Sequence, residues 1–115
     1  MVKRTVVGAG YGLRDWLMQR VTAVVMALYS LLFVFLLLTR PPEGYAEWRG
    51  LFAPEWMKLA SLLFALSLML HAWVGVRDIL MDYVRPAGLR LALQSAAILA
   101  LVAYAAWAVQ ILWSL

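Results

Sequence analysis

His71 is the only histidine in this 115-residue chain, and it sits inside an apolar run. A ligating or ionisable side chain in that setting is a functional candidate. The plainer use is a histidine that hydrogen-bonds across a helix interface. On a helix its face also carries Ala60, Phe64, Ser67, Gly75, Asp78 and Asp82. Gly75, one turn on, removes a side chain beside the imidazole and leaves room for a flat, bulky ligand, although glycine also serves close helix packing. A haem iron held by His71 needs a second axial ligand, and the chain has no second histidine. Its six methionines could supply one in principle. Met26 and Met69 read as apolar filler, so the second ligand is expected from another chain, either a partner subunit or a second copy.

A second constellation, Asp82-Tyr83, follows the same run. Asp78 and Asp82 lie one turn apart, so their like charges want cations. Arg85 lies three residues after Asp82, and Arg20 is a candidate to reach the same depth from the first helix. A tyrosine hydroxyl can donate to a carbonyl, and an adjacent carboxylate can tune it or relay protons. Interfacial anchoring is the plainer role of Tyr83, and a solvated loop charge that of Asp82. On one continuous helix His71 and Tyr83 are separated by a rise of about 18 Å, which makes two sites at different depths.

The elements that position these residues follow from where charge is missing. Val21–Thr39 (19 residues), Leu59–Val76 (18) and Leu91–Leu115 (25) carry none. About 20 apolar residues cross a bilayer, so the chain reads as three spans with short connections. Composition agrees: 66% hydrophobic, 14% charged and a mean hydropathy of +0.86, against about 25% charged residues in soluble domains. Disorder is excluded by the apolar content. A disulfide framework and thiolate metal sites are excluded by the absence of cysteine. The expected fold is an all-α integral membrane domain over residues 1–115, with transmembrane helices near 18–39, 58–82 and 89–113.

Pro41-Pro42-Glu43-Gly44 stops the first helix and Arg85-Pro86-Ala87-Gly88 the second. The Gly8-Ala9-Gly10-Tyr11-Gly12 stretch follows no strand, so a flexible tail is expected there instead of a phosphate loop. The first apolar run is too long for a signal-peptide core and no A-x-A pattern follows it, so a retained helix is expected. The N-terminal tail (Lys3, Arg4, Arg14, Arg20) and second connection (Arg77, Arg85, Arg90) hold most of the basic residues. That bias puts the N-terminus in the cytoplasm and the C-terminus outside. The net charge of +4 is thereby a topology signal, and no basic cluster suggests nucleic acid. Tyr45, Trp48 and Trp56 on one side, with Trp16 and Tyr83 on the other, suit interfacial belts. Ala92, Ala96, Ala100 and Ala103, with Ala23 and Ala27, offer small-residue faces to a partner helix.

The run His71-Ala72-Trp73-Val74-Gly75-Val76-Arg77-Asp78-Ile79-Leu80-Met81-Asp82-Tyr83 resembles the signature of the small membrane anchor subunits of bacterial succinate dehydrogenase (succinate:quinone oxidoreductase, complex II). Arg14-Asp15-Trp16, Arg20-Val21-Thr22-Ala23 and the stretch from Pro86 to Gln94 are similar to that family's approaches to its first and third helices. The resemblance covers the whole chain.

It implies a subunit that is non-catalytic alone and passes electrons from succinate oxidation to ubiquinone in the bacterial inner membrane. A flavoprotein with FAD and an iron–sulfur subunit would complete the complex, and a sister anchor would pack against this chain. By that resemblance His71 is one axial ligand of haem b, with the other histidine from the sister anchor. Arg20 contacts haem propionates, Tyr83 hydrogen-bonds ubiquinone, and Asp82 joins the quinone-site network. The alternatives are an anchor of quinol:fumarate reductase and a structural adaptor without cofactor. A proton-coupled transporter is disfavoured, because no acidic residue lies within the charge-free runs.

Overall fold

The computed structural model describes the backbone of residues 5–115 and side chains from residue 12 onward; Lys3 and Arg4 lie outside it. Four helices follow one another: α1 (Thr5–Thr39), α2 (Tyr45–Phe52), α3 (Glu55–Tyr83) and α4 (Ala87–Trp113). α1, α3 and α4 are each long and apolar enough to cross a membrane. The chain is an all-helical, multi-pass membrane protein.

Its breaks fall at the prolines. The last bond of α1 runs from the Arg40 N–H to the Leu36 carbonyl at 2.9 Å, just before Pro41. α3 ends where Val84 turns extended (φ −100°, ψ 107°). Pro86 then caps α4, its carbonyl accepting the Arg90 N–H at 2.9 Å.

The helices overrun the charge-free stretches, because a charged side chain ends an apolar run without ending the backbone ladder. α1 reaches back to Thr5, so Gly8–Gly12 is helical backbone and not the expected tail. Each glycine costs a helix only about 1 kcal/mol, which a 35-residue element absorbs. α2 adds a short helix to what reads as a loop. The Glu47 carboxylate, in its first turn, accepts the Glu43 N–H at 2.8 Å and complements the helix dipole.

α3 is the central element, packed by α1 on one side and α4 on the other. Among the described residues, the buried set includes Thr22, Ser61 and Ser67 beside Met57, Val74 and Leu112. Leu31, Leu38, Leu99 and Trp107 are exposed. Polar side chains thus lie between helices and apolar ones outside, as lipid demands. Ala23, Ala27, Ala92, Ala96 and Ala103 are exposed as well and Ala100 is half-buried, so among the described residues these small-residue faces are left largely uncovered.

Three polar contacts run down the α1–α3 seam. Asp15 pairs with Arg77, Thr22 Oγ1 lies 3.0 Å from His71 Nδ1, and the Tyr29 hydroxyl lies 2.6 Å from Ser61 Oγ. Asp15, Thr22 and Tyr29 recur every seven residues, two turns apart on one face of α1. Tyr29 also stacks on Phe64, with centroids 4.7 Å apart. Beyond it Phe33 meets Trp48 and Phe52, which seats α2 on the end of α1.

Candidate functional site

A cleft of about 370 Å³ opens between α1 and α3 along the part of this seam between the Asp15–Arg77 and Thr22–His71 contacts. α1 contributes Asp15, Trp16, Gln19, Arg20 and Ala23; α3 contributes His71, Val74 and Asp78. The helical repeat explains the set, since 15/16, 19/20 and 23 are successive turns of one face, and 71, 74 and 78 another. A larger cleft between α3 and α4, about 450 Å³, is lined by Leu66, Trp73, Ile98 and other apolar residues. Its lining has no ionisable group, whereas the smaller cleft is lined by several.

His71 is half-buried in the cleft wall. Its Nδ1 is engaged by Thr22, which is only 4% exposed. No hydrogen bond among the described residues engages its Nε2. The Arg20 guanidinium packs over the Trp16 ring, 5.4 Å from its centroid, and has no ion pair among the described residues. A guanidinium held on an aromatic face still has N–H donors with which to meet an anionic group. Gln19 Oε1 is buried in the same region without a hydrogen-bond partner among the described residues, although buried polar atoms are ordinarily paired. A Cβ built on Gly75 would meet nothing within 4 Å. The glycine is therefore not where another helix of this chain approaches, and space remains beside it.

The structure brings Arg20, His71 and Asp78 to one cleft and leaves Asp82 and Tyr83 outside it. Tyr83, the last residue of α3, is 80% exposed, and Asp82 is exposed beside it. The cations expected for the two aspartates are also corrected. Arg77 lies 3.8 Å from Asp78 and pairs with Asp15 across the seam. Asp82 has no ion pair among the described residues. Arg85 would meet it only if α3 continued, and the extended backbone at Val84 carries Arg85 off the helical face. Arg20 is held by Trp16 at the His71 cleft instead.

Three contributors escaped the sequence reading: Thr22, Gln19 and the Asp15–Arg77 pair. Thr22 was findable as a hydroxyl flanked by apolar neighbours at the start of the first span. Gln19 and Asp15 share its face, but only the pairing of α1 with α3 gives them partners.

Residues 2–110 match the family described as Succinate dehydrogenase/Fumarate reductase transmembrane subunit. The chain belongs to this family. It is also similar to the succinate dehydrogenase hydrophobic membrane anchor subunit of Coxiella burnetii (strain RSA 493 / Nine Mile phase I), 39% identical over 113 residues, covering 98% of this chain and 96% of that one. As a succinate dehydrogenase/fumarate reductase membrane anchor subunit, the chain has the three apolar helices such a role requires. The match takes in all four helices almost to the end of α4, so the His71 cleft and the Asp82-Tyr83 end both fall inside the family's extent.

Proposed function

We propose that this chain anchors a succinate:ubiquinone oxidoreductase in the bacterial inner membrane, where it contributes one half of a haem b site and part of a ubiquinone-reduction site. The observation that carries the haem reading is the state of His71. One ring nitrogen is held by Thr22 and the other is unengaged, in a cleft that also presents Arg20 and open space at Gly75. A neutral imidazole with its far nitrogen oriented by a hydroxyl suits an iron ligand. Among the described residues no group of three or more His, Asp or Glu side chains could hold a metal ion, so a shared site with outside ligation fits the donor set better than a closed one.

In this reading His71 would hold the iron and Arg20 would meet the propionates, and the sister anchor would supply the second histidine. Bound there, haem b supplies one-electron redox chemistry in a low-dielectric setting. Tyr83 donates its hydroxyl proton to a ubiquinone carbonyl oxygen, and Asp82 sits in the same network at the helix end. Reduction of the quinone takes two electrons and two protons, and an end-of-helix position gives proton access while the quinone tail stays in lipid. The 80% exposure of Tyr83 supports a site completed by other subunits. Those are the sister anchor, an iron–sulfur subunit and an FAD-bearing flavoprotein on the cytoplasmic side. The N-terminus and the α3–α4 connection then face the cytoplasm, and the C-terminus faces the periplasm.

The matched family's description also names fumarate reductase, which keeps an anchor of the reverse reaction as the second reading. The test is the reduced-minus-oxidised spectrum of the purified complex with wild-type and His71→Ala chains. A b-type signal that disappears in the variant is expected. A signal unchanged in the variant would sink the ligand assignment, and no b-type haem in the wild-type complex would favour a haem-less anchor or adaptor.

A further inference from the structure

We infer that Thr22 is the positioning residue that sets the tautomer of His71 and tunes its strength as a ligand; the inference rests on the haem-ligand reading of His71. Thr22 Oγ1 lies 2.7 Å from the Met18 carbonyl oxygen one turn earlier and 3.2 Å from that of Gln19. A threonine hydroxyl has one proton, and carbonyl oxygens can only accept it. That proton is therefore spent within α1, in the back-bonding common for threonine in helices. The remaining capacity of Oγ1 is a lone pair, and it faces His71 Nδ1 at 3.0 Å. The imidazole must then be the donor.

A neutral imidazole carries a single N–H, so with Nδ1 protonated the lone pair resides on Nε2. The opposite tautomer would need Thr22 to abandon its shortest hydrogen bond. It would also leave the ring's lone pair on the nitrogen turned to α1, where nothing can be ligated. At 4% exposure Thr22 has no water to substitute for either partner.

The three groups form a series: Met18 carbonyl, Thr22 hydroxyl, His71 Nδ1–H. The carbonyl polarises the hydroxyl and strengthens its oxygen as an acceptor. Donation from Nδ1–H in turn raises the basicity of Nε2. A more basic axial nitrogen favours the oxidised metal over the reduced one. One hydroxyl on α1 thereby lowers the potential of a group ligated from α3.

The test uses the intact membrane complex carrying Thr22→Val, which keeps the shape and removes the hydroxyl, and Thr22→Ser, which keeps the hydroxyl. The readout is the midpoint potential of the b-type signal in a spectroscopic redox titration, which needs no turnover. The Thr22→Val complex is expected to lose about tenfold in its preference for the ferric state, a rise of about 59 mV for one electron. Thr22→Ser is expected to restore the wild-type value. A wild-type potential in Thr22→Val overturns the proposal, as does an equal shift in both variants, which would mean that packing alone is at work. Thr22→Ala, read in the same titration, gives a second variant if Thr22→Val does not assemble: a rise of the same direction is expected, and a wild-type potential overturns the proposal. These outcomes differ from failure of the underlying reading, in which the complex has no b-type signal or His71→Ala retains it.

Discussion

His71 and Tyr83 share one helix but sit in different company. His71 is gripped by a buried threonine, whereas Tyr83 projects from the last turn of α3 with most of its surface free. Their substitutions should therefore fail differently. Tyr83→Phe removes one hydroxyl from an exposed position, so folding and assembly are expected to persist. In the purified complex, succinate-to-quinone electron transfer should fall at least tenfold, about 1.4 kcal/mol, while succinate oxidation by a soluble dye stays intact. Equal loss of both activities would mean that the variant disturbs assembly. Gly75→Ala tests the space beside the imidazole. The added methyl meets nothing within the chain, so insertion should be normal. Haem content of the purified complex is expected to fall, and wild-type content would show that the space is not used.

At the scale of elements, the α1–α3 seam decides the site. Lipid offers helices no hydrophobic drive toward each other, so interhelical hydrogen bonds and close packing hold them. The Asp15–Arg77 pair, the Thr22–His71 bond and the Tyr29–Ser61 bond set both the register and the facing of the two helices. Asp15 and Arg77 are about one-third exposed or less, which leaves their attraction partly screened. A double-mutant cycle with Asp15→Ala and Arg77→Ala, read by thermal unfolding of the solubilised complex, should give a coupling of about 0.5–1 kcal/mol. A coupling near zero would assign the register to the two inner contacts alone. The seven-residue recurrence of Asp15, Thr22 and Tyr29 stands in the sequence. It reads as a seam only once α3 is known to lie against that face, because the sequence of α1 does not name its partner.

For the whole molecule, exposure of the apolar faces is the governing fact. Leucines and tryptophans on all three long helices lack cover within the chain, so lipid and other subunits must supply it. Orientation follows from the basic bias and is open to a direct test, since the chain has no cysteine to interfere. Gly88→Cys, in the first turn of α4, should react with an impermeant thiol reagent only when the cytoplasmic side is opened. Gly44→Cys, between α1 and α2, should react from the periplasm in intact cells. The reverse pattern would invert the proposed topology.

The span count, the proline-set breaks and the singling-out of His71 all came from the sequence by itself. Each is a property of local composition: charge-free length, loss of a backbone donor, one ligating side chain in an apolar run. The contributions of Thr22 and Gln19 beside His71, and the fit of the two helix faces, came only from the tertiary structure. Helix periodicity put Asp78 and Asp82 on its face, yet the fold admits Asp78 to the cleft, leaves Asp82 outside, and brings in Thr22, Gln19 and Arg20 from α1. The physical reason is that a face is a one-dimensional property of a helix, whereas a site needs two faces in register. That register depends on crossings between residues 32 to 62 positions apart in the chain, which no local pattern encodes.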